Sequence, residues 1–250
     1  MLRPRKHSIN SPQSSDSWTS ITSARIMILG CGGVGSVVAE QLVAMGFKNF
    51  ILVDGDKTEP SNLNRQTIFT KADIGRLKVQ NLKSHLLERN PNLQIKAFNR
   101  WIKSVEDILD ISSDSPSLVV SAIDSPPVLC QQIVCDYSLK TGVPCVFAGL
   151  GIEFGSWGPF LYEKQNMISY KEYLIKNSRG IHISEESIVK ASLCATNHLI
   201  SSWLCLDIFN YFSKCGPVHS EGRKVSLSFD LLKFSYSEFG YATKQLSTGN

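Results

Sequence analysis

The chain has no closely spaced cysteine pairs. Its seven cysteines, at positions 31, 130, 135, 145, 194, 205 and 215, are scattered, and no C-x-x-C occurs. A structural zinc needs four neighbouring ligands, commonly as two short-spaced pairs, so no zinc is expected. The odd cysteine count and the lack of a secretory pattern point to a reducing cytoplasm. Long apolar runs are also missing. The most apolar segment, residues 191–212, is interrupted by Asn197, His198, Asp207 and Asn210, which predicts a buried helix and no membrane partner. Excess charge is scarce too: 26 basic against 22 acidic residues leave a net charge of +4. That is too little to make nucleic acid the main partner. Part of it sits in Arg3, Arg5 and Lys6, since no acid precedes Asp16. No internal repeat is present.

The 250 residues suffice for one large domain with a two-layer core. Residues 1–23 are polar and serine-rich, which predicts a flexible N-terminal arm with at most a short helix near Trp18. Residues 24–150 then alternate apolar runs with helical stripes. Arg25 to Leu29 reads as a buried strand, Val37 to Met45 as a helix closed by Gly46, and Phe50 to Val53 as a second strand ending in Asp54. Helices are predicted over 78–88 and 127–141, and strands over 93–98, 118–123 and 144–148. This βαβ order implies a doubly wound, mainly parallel, Rossmann-like α/β sheet. Residues 151–250 change character. Gly149, Gly151, Gly155 and Gly158 break the pattern, and 162–179 reads as a crossover or lid. The apolar helix follows, with closing strands near 225–229 and 232–236, a C-terminal helix-plus-strand extension.

Chemistry concentrates in two stretches. Gly30-Cys31-Gly32-Gly33-Val34-Gly35 fits G-x-G-x-x-G between a strand and a helix. There, glycines let backbone amides approach phosphate oxygens, and the helix N-terminus favours negative charge. Asp54, about twenty residues on, is placed to accept hydrogen bonds from ribose hydroxyls. This pair predicts an adenosine nucleotide without choosing between ATP and NAD. Asp56, Asn62, Arg65, Gln66 and Lys78 favour ATP, because attack at an α-phosphate develops charge that cations must neutralise, usually with a divalent metal. Asp124 closes the strand at 118–123 on the sheet's carboxyl edge, where it can hold Mg²⁺ through oxygen contacts or cap the next helix.

These residues together resemble the ThiF/MoeB/HesA superfamily of adenylating enzymes, relatives of ubiquitin-activating enzymes. The resemblance rests on the glycine loop, the Asp-x-Asp at 54–56, Ser-Asn-Leu-Asn-Arg-Gln at 61–66, Lys78, and the Ala-x-Asp at 122–124, and it covers mainly residues 25–160. It implies that Gly30, Gly32, Gly33, Gly35, Asp54 and Asp56 help bind the nucleotide. It implies further that Asn62, Arg65, Gln66 and Lys78 contact phosphates and that Asp124 binds Mg²⁺. The implied reaction is ATP- and Mg²⁺-dependent adenylation of a carboxylate, the C-terminus of a peptide or ubiquitin-like carrier protein. A homodimer is implied, with an arginine of the neighbour's arm, Arg5 or else Arg3, completing the site. Two features depart from much of the family: the missing zinc cysteines, and the lack of any cysteine in 151–190 to form a thioester. Ala148-Gly149 with Phe154-Gly155 and Gly158-Pro159 resembles the zinc-less branch that adenylates the microcin C peptide. Its extra peptide-binding domain has no counterpart in 250 residues, which leaves room for a separate substrate-delivery protein. Two alternatives stay open: cyclisation of a threonylcarbamoyladenosine base in tRNA, and an NAD-binding oxidoreductase.

Overall fold

The computed structural model describes residues 15–126, 128–151, 153–178 and 192–239. Eight strands form one sheet in the order β3-β2-β1-β4-β5-β6-β7-β8. They are β1 Arg25–Leu29, β2 Asn49–Val53, β3 Gln94–Phe98, β4 Leu118–Ser121, β5 Cys145–Leu150, β6 Phe154–Leu161, β7 Arg223–Ser228 and β8 Lys233–Glu238. The first five run parallel, and the last three add an antiparallel wing. This is the Rossmann-like α/β architecture that the alternating pattern predicts.

Side-chain alternation along the central strands sorts them between two cores. Ile26, Ile28, Phe50, Leu52, Leu118 and Val120 face α2 (Gly33–Ala44), α3 (Lys78–Arg89) and α7 (Cys194–Ser213). Met27, Leu29, Ile51, Val53, Val119 and Phe147 face α4 (Val105–Ile111), α5 (Leu129–Thr141) and α6 (Lys164–Ser178). Both sheet faces are thus covered, which is why the parallel strands read as continuous apolar runs. Among the described residues no helix is long and apolar enough to cross a membrane; the helix expected in the most apolar segment is α7, Cys194–Ser213, packed in the first core.

The structure amends several expectations. The short helix expected near Trp18 is α1, Ser15–Ser23, and it packs against the domain. Its Ile21 is fully buried against the first core, and Trp18 packs there too. The Ser17 hydroxyl donates to the Ser213 carbonyl at 2.8 Å. Two apolar side chains on one helix face outweigh the serine content around them. The predicted lid over 162–179 is largely α6, whose Met167, Tyr170 and Leu174 are buried in the second core. Their spacing is that of a helical stripe. Much of the glycine-rich break is instead strand: β5 runs on to Leu150 and pairs with β6, which starts at Phe154. Gly155 is a close-packing site there, since a Cβ would lie 2.4 Å from Ile200 Cγ1. Helix α5 begins at Leu129, two residues later than predicted, and ends at Gly142 with φ +75°.

The wing is tied to α7 by a buried carboxylate. Asp207 is fully buried and accepts from Trp157 Nε1 at 3.0 Å, His219 N at 2.8 Å, and Ser220 N and Oγ at 2.9 and 2.6 Å. A buried charge is tolerable only when its lone pairs are satisfied in this way.

The docking of α1 generates the first prediction. Ile21→Ala removes a fully buried side chain and should lower unfolding free energy by about 2–4 kcal/mol. Chemical denaturation would measure this, and a loss under about 0.5 kcal/mol would mean that α1 is not part of the cooperative fold.

Candidate active site

A cavity of about 580 Å³ opens at the carboxyl end of the parallel strands. This is the edge of an open α/β sheet where the winding direction switches and ligands bind. Gly30, Gly32, Gly33, Asp54, Asp56, Asn62, Arg65, Gln66, Lys78 and Asp124 all line it. Residues spread over almost a hundred positions therefore converge on one site. Arg5 and Arg3 lie outside the described residues.

The glycine loop is built by close approaches. Gly30 has φ +90°, and a Cβ there would stand 2.6 Å from the Ala122 carbonyl oxygen. Gly33 meets Asn197 Oδ1 at 2.4 Å in the same test. Gly35 does not line the cavity. A Cβ on it would overlap Gly30 O at 1.8 Å, so it lets α2 pack onto the loop. No side chain caps α2 at Gly32, which leaves its first amides aimed at the cavity for an anion.

Asp54 binds the loop to the next one. Its Oδ2 accepts from Cys31 N at 2.6 Å and its Oδ1 from Asp56 N at 2.7 Å. Burial raises its pKa above the usual carboxylate range, against the opposing pull of these two bonds. Asp54 also lines the cavity.

Lys78 opens α3 and is 6% exposed. Its Nζ lies 2.7 Å from Asp56 Oδ2, so its charge is already partnered. Arg65 is folded back, donating from Nη1 to Ser61 O at 2.9 Å and Asn64 Oδ1 at 3.0 Å. Asn62 spends its Oδ1 on Glu59 N at 3.1 Å, a turn-building role beyond the phosphate contact that the resemblance implies. Gln66 is buried, and its Oε1 has no hydrogen-bond partner among the described residues. Asp124 is exposed and makes no hydrogen bond or ion pair among the described residues. Helix α5 has Val128 at its N-cap with no side-chain bond, so Asp124 does not serve as a cap.

The segment carrying Arg65 and Gln66 is held at its far end by Asp73. This carboxylate accepts from Thr70 N at 2.7 Å and Thr70 Oγ1 at 2.9 Å, and faces His85 Nε2 at 2.9 Å. Burial alone would raise its pKa, but the bonds from Thr70 and His85 outweigh burial and hold it below the ordinary value. Asn81 Nδ2 adds bonds to Thr58 Oγ1 and Asp73 O, each at 3.1 Å.

Sequence reasoning missed several lining residues. Asn197, 2% exposed, donates from Nδ2 to Leu193 O at 2.7 Å and Ser192 Oγ at 3.2 Å. Its signal was an amide inside an apolar run. Arg100 and Trp101, just past β3, carried no motif at all. Arg100 is engaged by Asp107 and Asp110 at 3.1 Å each.

No cysteine lines the cavity. Cys31, Cys130, Cys135, Cys145 and Cys205 are buried. Burial pushes the Cys130 thiol up to about 11 and that of Cys135 to about 12, and raises those of Cys31, Cys145 and Cys205 as well. Such thiols are poor nucleophiles.

A glycine loop at the switch point of a mainly parallel sheet, with acidic and cationic side chains gathered around it, defines a nucleotide-site protein of the open α/β class. Residues 7–248 match the ThiF family, and the chain belongs to that family. It is 32% identical over 129 residues to the SUMO-activating enzyme subunit 2 of Dictyostelium discoideum, covering 52% of this chain and 19% of that protein. It is 33% identical over 127 residues to the sulfur carrier protein adenylyltransferase of Thermus thermophilus, covering 51% and 45%. The chain thus spans less than half the length of these relatives. Among solved structures, E. coli MccB with ATP superposes with a TM-score of 0.75 at 25% identity, over 91% of this chain and 67% of that one.

The Asp73 anchor generates the second prediction. Asp73→Ala should leave the global fold intact but increase amide hydrogen exchange across residues 57–77 by about tenfold, the scale of losing one well-bonded carboxylate. In the wild type the same loosening should appear only as pH falls through the lowered Asp73 pKa, since the bonds are present above it. Unchanged exchange in the variant would show that the segment is held elsewhere.

Proposed function

We propose that this chain catalyses ATP-dependent adenylation of a carboxylate, the C-terminus of a peptide or small ubiquitin-like carrier protein. The observation that carries this is the convergence of the uncapped α2 N-terminus, Asp54, Arg65, Gln66, Lys78 and Asp124 on one cavity. The names of the relatives add support: adenylyltransferases of carrier proteins, and an MccB structure with ATP. An NAD oxidoreductase would leave the cationic and acidic side chains without a task.

In this reading the substrate carboxylate oxygen attacks the α-phosphorus. A new P–O bond forms, the bond from the α-phosphorus to the bridging oxygen breaks, and pyrophosphate leaves with that electron pair. Asp54 orients the ribose. The α2 amides and Gln66 fix phosphate oxygens. Arg65 and Lys78 swing from their present partners, Ser61, Asn64 and Asp56, toward the charge that develops on the leaving group.

The cavity wall is nearly charge-balanced, with Lys57, Arg65, Lys78 and Arg100 set against Asp54, Asp56, Glu59 and Asp124. A triphosphate brings more negative charge than such a wall neutralises, and an unpaired carboxylate suits a hard cation. Asp124 therefore fits Mg²⁺ shared with the phosphates, which would supply Lewis-acid stabilisation of the displaced oxygens. With no thiol in the cavity wall, the acyl-adenylate passes directly to a nucleophile of the substrate or of a second molecule.

ATP–pyrophosphate exchange with C-terminal peptides of candidate carriers tests the reaction. Lys78→Ala and Asp124→Ala should each lower it by about a hundredfold. Tight NADH binding without ATP binding would overturn the reading. A homodimer, with the neighbour's Arg5 at the triphosphate, completes the proposal, because a guanidinium can pair bidentately with phosphate. Mixing Arg5→Ala chains with Lys78→Ala chains should then restore part of the exchange activity. Full activity of Arg5→Ala alone would reduce the arm to a solvated tail.

A further inference from the structure

Trp101 is 55% exposed yet lines the cavity. A Cβ placed on Gly55 would lie 2.5 Å from Trp101 Nε1 and 2.6 Å from both Cδ1 and Cε2. Approach within the ring plane would leave the atoms bonded to Nε1 clearly farther away than Nε1 itself. Near-equal distances therefore mean that the five-membered ring lies flat over Gly55. One indole face rests on backbone that only glycine leaves bare.

Gly55 follows Asp54, whose amide donates to Phe98 O at 3.2 Å where β3 ends. The indole thus stands beside the carboxylate that orients a ribose. In the sheet order β3-β2-β1, Trp101 follows β3, Asp54 follows β2 and the glycine loop with α2 follows β1, and all three line the cavity. A nucleotide has the same order: base, ribose, phosphates.

We infer that Trp101, seated on Gly55, is the stacking platform for the nucleobase and makes this site prefer purine nucleotides. This rests on the nucleotide reading of the cavity and adds a residue that recognises the base. Stacking scales with the overlapping ring area, so a purine gains more than a pyrimidine, and a nucleotide lacking a base gains nothing.

Calorimetric titration of the full chain with ATP, CTP and inorganic tripolyphosphate tests the inference. Trp101→Ala should weaken ATP binding by about ten- to a hundredfold. It should weaken CTP binding less and leave tripolyphosphate unchanged. Trp101→Phe, which keeps a ring, should retain ATP binding within a few fold. Gly55→Ala, which displaces the indole, should reproduce the loss and add little to it in the double variant. ATP should also quench part of the wild-type tryptophan fluorescence, and this change should vanish in Trp101→Phe, since Trp18, Trp157 and Trp203 do not line the cavity.

Undiminished or tighter ATP binding by Trp101→Ala would overturn the inference while leaving the adenylation reading intact. Equal losses for ATP and tripolyphosphate would also overturn it, as damage to the phosphate site. A wild type that binds no ATP would overturn both.

Discussion

The site is organised by one carboxylate. Asp54 accepts from the amides of Cys31 and Asp56 at once, at 2.6 and 2.7 Å, and so fastens the loop after β1 to the loop after β2. Charge-assisted bonds of this kind contribute roughly 1.5–3 kcal/mol each, enough to offset much of the cost of burying the charge. The rest follows from that clamp. It fixes where α2 begins, where Asp56 meets Lys78, and where Gly55 offers its backbone to Trp101. Without it the two strand ends would still pair in the sheet, but the loops beyond them would have no common geometry.

The C-terminal part of the chain belongs to the same construction. Helix α7 packs along α2, and Ser201 Oγ donates to Val34 O at 3.3 Å. Asn197 closes over Gly33 from that helix. Asp207, two turns and more further on, gathers Trp157, His219 and Ser220 and so couples α7 to the antiparallel wing. The segments before and after residue 150 therefore share a core, and the loop's shape depends on residues about 160 positions away.

The electrostatics of the cavity favour directed contacts over a general positive field. Lys78 is held by Asp56, Arg100 by two aspartates, and Arg65 by neutral oxygens. Cations restrained in this way are pre-positioned and partly neutralised, so the folded chain is not strained by like charges.

Much of this was legible in the sequence. Alternating apolar runs and helical stripes predict the parallel core because both faces of that sheet are buried and local periodicity carries the signal. The glycine loop, Asp54, Arg65, Gln66, Lys78 and Asp124 were expected together from their types and spacing, and all of them contribute to one cavity wall. Local pattern failed where packing overrode composition. A serine-rich segment contributes Ile21 to the core, a glycine-rich stretch enters β5 and β6 with Gly155 packed close to Ile200, and a polar segment forms α6 on three buried side chains. Only the tertiary structure decided that Gly35 serves helix packing, that Asn62 builds a turn, and that Asn197 and Trp101 belong to the cavity. Those roles arise from contacts between residues far apart in the chain, and no local spacing encodes them.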